Sequence, residues 1–566
     1  MQDLTRAQQA RISVQSFKTI AHALALRGFY RPSEKMGQSL AECLASLSPE
    51  IYGSMNDSRI VELNGLEYVI DRLPRGIEAC TRIILTEEEQ FGNSVFEKLE
   101  PLKRRRSCYR INNKGMCFAI TRGLSEIYDI LTHLTFLDIE ARKIHRRIND
   151  EAGNKTLEWK ALEKTALSTA ELTKGKLEQA IWNLSIVLGR SYFETRSTYD
   201  YFESNKINHK TNNGLFSLIY HLGKRIEDER ESKDNAQIIY LTPSLMSVIG
   251  HQKYGKKWAD DIKTRLNELD LKNRPLHIIS ANLHSVLNLV YGFSAVKADQ
   301  RGNPTDNIFD LIQLLRNRGN VVLDYAKKHG LYEIKDKSGT HIDCQLIDTA
   351  YLESMPFHPE INIDPEIIKN EKPVILVMDY AFGTQAFEVM DSLLNPYLTD
   401  SHTDLMNVSS VSVMGKAGIL PGKKGDIMLA TAHVIEGSSD NYIFENDLKK
   451  TDFNDDINIY SGPVITVLGT SLQNRDMLEK FQSSWNTVGL EMEGGHYQRA
   501  ISAAIIKGHI SNTIKVRYAY YASDNPLISG QTLAAGDMGD EGVRPTYMVT
   551  KVILEKILHK IEKEQQ

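Results

Sequence analysis

The chain has 566 residues, a formal net charge of -5, and 41% hydrophobic and 25% charged residues. Single cores stop growing at roughly 250–300 residues, so this length implies two or three domains. No window approaches the roughly 20 apolar residues that a membrane span needs, and the acidic balance opposes a large nucleic-acid surface, which requires a basic excess. The opening residues, MQDLTRAQQARISVQSF, carry Asp3 and lack an apolar core, so they do not read as a secretory signal. A cytoplasmic location is expected. The cysteines Cys43, Cys80, Cys108, Cys117 and Cys344 form no CxxC pair and read as buried thiols, not as a disulfide framework or a zinc ribbon. Neither a metal nor an organic cofactor is expected.

Residues 1 to about 230 show helical spacing: Ile127, Leu131, Leu134 and Leu137 recur at threes and fours, as do Leu177, Ile181, Leu184 and Leu188. This predicts a helical amino-terminal domain, with Trp159, Trp182, Tyr199 and Tyr201 as bundle packing. Within it, Lys103-Arg104-Arg105-Arg106 and Arg110 read either as a solvated helix face or as a seat for a phosphate or polyanion. The charged connector Asp228 to Asn235 marks a change of pattern, and a second domain, 231–566, is expected to follow. Ile238 to Leu241 reads as a strand, Leu276 to Ile279 as another, Leu283 to Tyr291 and Ile308 to Leu315 as helices. That alternation predicts a mixed, mostly parallel sheet and an α/β fold. From Lys372 the strands are clearest: Val374 to Met378, Val408 to Met414, Ile427 to Ala430, Val464 to Leu468 and Val516 to Tyr521. A final helix carries Met548, Val549, Val552, Ile553 and Ile557 on one face, ahead of the polar tail Glu562 to Gln566.

Four local features lie at or near these strand ends. Gly383, in Tyr380-Ala381-Phe382-Gly383-Thr384, follows a strand and opens a helix, where backbone N–H groups can meet an anion. Met414-Gly415-Lys416-Ala417-Gly418 leads through Pro421-Gly422-Lys423-Lys424 to the turn Gly425-Asp426-Ile427. Glu491-Met492-Glu493-Gly494 sets two carboxylates two residues apart before a helix, suited either to a sugar diol or to a helix dipole. Ser523-Asp524-Asn525-Pro526 ends a strand, where an aspartate can be a proton donor if its pKa is lifted, or a turn-forming cap before proline.

Taken in order, Gly415-Lys416-Ala417-Gly418, Gly425-Asp426-Ile427, Met492-Glu493-Gly494 and Ser523-Asp524 resemble the motifs of the nucleoside phosphorylase and nucleosidase superfamily. The core of the resemblance runs over 372–560. It implies a nucleoside-phosphorylase-like α/β domain in which Asp524 protonates the purine at N7 and Glu493 binds the ribose hydroxyls with Met492 against the sugar. Gly383, Thr384, Gly415, Lys416, Gly418, Glu491 and Ser523 complete the expected substrate contacts. The large amino-terminal region is similar to the AMP nucleosidase arrangement. The expected partner is a small purine nucleoside or nucleotide, and a homo-oligomer is expected.

Departures from the superfamily pattern bear on chemistry, among them an interval from Glu493 to Asp524 that is longer than is usual there. Lys416 stands where the superfamily has a small residue, which with Lys423 and Lys424 points to an anion such as a 5′-phosphate, or else to solvent. No arginine pair for phosphate stands out, and no motif marks a group to activate water, although Asp379 and Glu388 lie near the first glycine turn. Three readings therefore stand: hydrolysis of the N-glycosidic bond, phosphorolysis with phosphate as co-substrate, and a non-catalytic nucleotide sensor or scaffold on the same fold.

Overall fold

The computed structural model describes residues 4–87, 94–104, 106–150, 152–168, 170, 172–249, 253–299, 305–316, 318–398, 403–453, 457–528 and 538–559. Arg105 of the basic run and the tail Glu562 to Gln566 lie outside the described residues. Two compact units emerge: Met1–His251 with Gly469–Leu478, and Gln252–Leu468 with Glu479–Gln566. No helix among the described residues is long and apolar enough to cross a membrane.

In the first unit the helices follow their capping signals. Thr5 and Gln8 form a capping box ahead of Arg6–Arg27, and Ser191 and Glu194 form another ahead of Tyr192–His209. Ile127, Leu131, Leu134 and Leu137 are all buried on the helix Gly123–Arg147, as their spacing predicts. The expectation of helices alone is corrected, because the unit also holds a six-stranded sheet. Its strands are β1 (Phe29–Tyr30), β2 (Arg82–Thr86), β3 (Glu97–Leu99), β4 (Ser107–Asn112), β5 (Gly115–Ala119) and β6 (Ile238–Leu241), in the order β1-β6-β2-β5-β4-β3. Strand β6, read from sequence as the start of the second domain, pairs here parallel to β2. Short buried runs such as β5 show no alternation, so periodicity cannot separate them from helix. The basic run is not a helix face: Lys103 pairs with Asp71 at 3.0 Å, Arg104 with Asp129 at 3.3 Å, and Arg106 turns inward onto Asp129 and the Arg72 carbonyl as it leads into β4. Burial opposes the Asp129 charge, but Arg104, His133 and Arg106 hold its pKa well below the usual range.

The second unit is built on β7 (Leu276–Ser280), β8 (Leu331–Ile334), β9 (Cys344–Asp348), β10 (Val374–Met378), the small pair β11 (Tyr397–Leu398) and β12 (Thr403–Asp404), β13 (Val408–Ile419), β14 (Ile427–Ile435), β15 (Asn441–Ile443), β16 (Ile459–Thr466), β17 (Gly489–Glu491) and β18 (Lys515–Asp524). Apart from the β11–β12 pair, the strands form one sheet, ordered β15-β14-β16-β17-β13-β7-β10-β9-β8, with β18 pairing both β13 and β14. The strands β13, β18, β14, β16 and β17 thus close into a ring. Parallel pairs (β10–β7, β7–β13, β13–β18, β14–β16, β16–β17) occur beside antiparallel ones (β10–β9, β9–β8, β13–β17, β14–β18, β14–β15), so the sheet is mixed, with the longest pairings, β13–β18 and β14–β16, parallel. The cause is local. The turn between β13 and β14 is too short for a crossover, which needs a dozen or more residues, so β14 must run back.

Helices cover both faces. Leu283–Asp299, Ile308–Leu315 and Val543–Leu558 pack on one face against Ile279, Val377, Met414 and Tyr521. Lys253–Glu268, Gln385–Leu394 and Gly494–Ile506 pack on the other against Ile278, Leu376, Val413 and Tyr518. Alternate residues of each strand serve alternate faces, and β10, covered on both, is apolar throughout. The buried Lys263 ammonium donates to the Ser392 and Asn395 carbonyls at 2.7 Å each and so closes the carboxyl end of Gln385–Leu394.

The helix Gly494–Ile506 starts against the ring. A Cβ on Gly494 would collide with the Tyr520 hydroxyl and the His433 ring, both on buried residues. Gly494→Ala should therefore lower the unfolding free energy by about 1–3 kcal/mol, the usual cost of overpacking. Urea denaturation monitored by circular dichroism measures it, and an unchanged midpoint would show that the helix start can yield.

Candidate functional site

Strands β7, β10, β13 and β18 run parallel in succession, so their carboxyl ends share one edge, where open α/β sheets hold ligands. Antiparallel pairing of Gly418 with Leu490 brings the end of β17 back beside the Gly415 to Ala417 stretch of β13. All four motifs are delivered to this region by strand direction and register.

The two glutamates of the third motif have different fates. Glu491 is buried, and its oxygens are taken by the chain: the Thr466 hydroxyl donates at 2.5 Å, the Glu493 N–H at 2.5 Å, and the Gly494 N–H also donates. Burial pushes its pKa up against the pull of these donors. Glu491 thus holds a helix start. Glu493, half-buried at the N-cap of Gly494–Ile506, projects its Oε1 to the Gly383 N–H at 2.9 Å. Gly383 has φ +56°, which a side chain would strain, and so its N–H is free to face Glu493. The anion met by the first glycine turn is therefore the protein's own carboxylate.

Thr384 is the N-cap of Gln385–Leu394 and makes no side-chain cap bond there. Met492 is buried. Gly415 admits the Tyr380 ring, which a Cβ would meet at 3.4 Å, and Gly418 pairs with Asp524 across an irregularity in the β13–β18 register. Desolvation of the Tyr380 hydroxyl, then the neighbouring Tyr521, raise its pKa well above the ordinary phenol value.

Asp524 ends β18 and is 8% exposed. Its Oδ1 accepts from the Ser523 hydroxyl, while its Oδ2 is buried with no hydrogen-bond partner among the described residues. Burial pushes its pKa up to about 6, against the pull of Ser523, Lys416 and Lys424. The residues around it are fixed structurally. Asn525 donates to the Leu420 and Gly422 carbonyls at 3.0 and 2.8 Å, and Asp426 of the Gly425-Asp426 turn accepts from the Lys423 N–H at 2.9 Å. Of the three lysines expected near an anion, Lys424 is paired with Glu541 at 2.6 Å. Lys416 is exposed and lines a cavity of about 490 Å³ with Asn282, His284, Tyr380, Tyr521 and Tyr547, backed by Leu287, Ile312, Leu315 and Val543. That volume lies within the usual range for small-molecule sites.

The sequence matches the profile described as "Family of unknown function (DUF6909)" over residues 38–199, 201–301 and 316–559. The chain belongs to this family. No curated protein matches. Among solved structures, it is similar to a 5′-methylthioadenosine/S-adenosyl homocysteine nucleosidase from Campylobacter jejuni, with 12% identity, 50% of this chain and 99% of that one covered, and a TM-score of 0.30. It is also similar to a futalosine hydrolase mutant of Helicobacter pylori (12%, 50% and 98%, 0.29) and to the uridine phosphorylase of Schistosoma mansoni in complex with thymidine (12%, 54% and 88%, 0.29). These neighbours are nucleosidases and a phosphorylase. At such scores nothing of their activities passes to this family member.

Sequence reasoning did not single out Asn282 or His284, nor Tyr380 and Tyr521 beyond their place in the strands and turn. The available signal was position, since Asn282 and His284 follow directly on the carboxyl end of β7.

Asp524 gives a stability test. Its folded pKa of about 6 lies above the ordinary aspartate value of 3.8, so the native state favours the protonated form, and stability is lost as pH rises between about 4 and 6. Asp524→Asn should remove that penalty. The variant is expected to be more stable than wild type at pH 8, by up to about 3 kcal/mol for a two-unit shift, and to show no gain near pH 3.5. Thermal melts across this range check it, and equal stability at pH 8 would mean the carboxylate is better solvated than its surroundings imply.

Proposed function

We propose that the second unit cleaves the N-glycosidic bond of a purine nucleoside or nucleotide by hydrolysis. The observation that carries this reading is the buried, half-satisfied Asp524 carboxyl at the strand-end edge, with its pKa raised to about 6. A structural aspartate fills its oxygens with chain donors, as Asp426 does in part with the Lys423 N–H and the Asn458 amide. Asp524 keeps one oxygen for an outside partner, and a carboxyl in this state donates a proton to a leaving base near neutral pH. Glu493, beside the Gly383 N–H, supplies the ribose contact in this reading. In the resemblance these are the acid and the sugar ligand.

Lys416 favours an anion on the substrate. Its charge faces the cavity while Lys424 and Arg316 are paired with Glu541 and Asp540. A 5′-phosphate and a phosphate co-substrate are both compatible with it, so phosphorolysis is the second reading. A panel of purine nucleosides and nucleotides, with and without phosphate, assayed by chromatography for free base, separates the two. No base from any of them would favour a binding role alone.

Three variants test the assignments. Asp524→Asn should cut base release by about 10²–10⁴-fold with ligand binding largely kept, and Glu493→Gln should weaken both. Lys416→Ala should raise KM for a nucleotide far more than for its nucleoside. Because protonated Asp524 is the active form, release should fall as pH rises through about 6. Lys416→Ala removes a charge that lowers that pKa, so the alkaline limb should move to higher pH; a limb that moves down, or not at all, would uncouple the two residues.

A further inference from the structure

Hydrolysis requires a group that takes a proton from the attacking water, and the assignments above leave that role empty. Asp524 must be protonated toward the base, Glu493 holds the sugar and the Gly383 N–H, and the Glu491 oxygens are filled by the chain. Among the described cavity residues, Lys416 and Arg316 are cations, and Tyr380, Tyr521 and Tyr547 are phenols, which hold their proton at neutral pH. One imidazole lies on that wall.

Resting on the hydrolytic reading, we propose that His284 is the general base that deprotonates the attacking water. His284 stands in the first turn of Leu283–Asp299, directly after β7, and so at the same strand-end edge as Lys416 and Asp524. The turn is fixed where it starts: the Asn282 side chain accepts from the Ser285 N–H at 2.8 Å. A cation at a helix amino terminus is disfavoured by the dipole, which keeps the ring neutral and able to accept a proton. Although the residue is exposed, it opens into the cavity. The surrounding walls desolvate the ring and lower its pKa, while Asp379, at the end of the adjacent strand β10, pulls the other way. An aspartate in this position favours the imidazolium once it forms, which is what a base needs during proton transfer.

The step balances without an outside reagent. The C1′–N bond breaks with its electron pair going to the purine, which takes the Asp524 proton. The water oxygen bonds C1′ and gives its proton to His284. The products are the free base and the sugar hemiacetal, and both residues return to their starting states through solvent.

The test compares wild type with His284→Ala and His284→Gln, using a purine compound that wild type cleaves, with ligand binding and thermal melts as controls on folding. Both variants should lose about 10²–10⁴-fold in kcat with KM changed little. In His284→Ala, azide, a nucleophile that needs no deprotonation, should restore base release and yield the glycosyl azide. Several outcomes would overturn the proposal: activity within threefold of wild type, loss without azide rescue in a folded variant that still binds ligand, or base release that requires phosphate. The last would leave glycosidic cleavage intact and remove only the need for a base. If wild type released no base from any compound, the reading of the site would fall and His284's role with it.

Discussion

The candidate site depends on a buried carboxylate whose oxygens are engaged by the chain itself. Glu491 is an ionisable group sealed inside the second unit, where an uncompensated charge costs several kcal/mol. It is tolerated because the Thr466 hydroxyl and two N–H groups at the start of Gly494–Ile506 all donate to it. Thr466 in turn accepts from the Gly495 N–H at 2.8 Å. One anion therefore satisfies the helix start, favours its dipole and ties that helix to the ends of β16 and β17. The direction of Glu493, and hence its meeting with Gly383, follows from this fixed start. Gly494 belongs to the same constraint, since the approach leaves no room for a Cβ.

A general distinction follows among the acids of this edge. Glu491 and Asp426 have oxygens engaged by the chain's own donors, so they organise turns and helix ends. Asp524 is as buried as these, but its Oδ2 lacks such a donor among the described residues, and desolvation outweighs the pull of Ser523, Lys416 and Lys424 on its pKa. Burial alone does not separate a structural acid from a reactive one. Counting which lone pairs the fold has filled does.

This is also where sequence and structure part. The strand Val374 to Met378 was legible to the residue, because it is apolar throughout and bounded by Pro373 and the Tyr380 turn. The motif at Gly415, the Gly425-Asp426 turn and the strand end at Asp524 were legible for the same reason: local chemistry fixes local shape. The sheet of the first unit was not, since β2 and β5 are short buried runs between longer helical stretches. Which strands run antiparallel was hidden because closure of the ring through β18 is a long-range choice. Glu491 and Glu493 could not be told apart two residues from each other, as the difference lies in donors from β16 and from the turn at Gly383. His284 carried no signal beyond following a strand.

Lys416 connects the charge of the substrate to the strength of the acid. Its ammonium lowers the Asp524 pKa, opposing the burial that makes Asp524 useful as a donor. With the cavity filled only by solvent, the pair stands at a compromise. An anion seated against Lys416 would neutralise that charge. Loss of that pull raises the pKa, so on the proposed reading the acid becomes most fully protonated when the cavity holds an anionic substrate. The same substitution that breaks the small-residue motif thereby gives a physical basis for preferring a nucleotide over a nucleoside, because binding energy at the anion is converted into the protonation state that the bond cleavage needs.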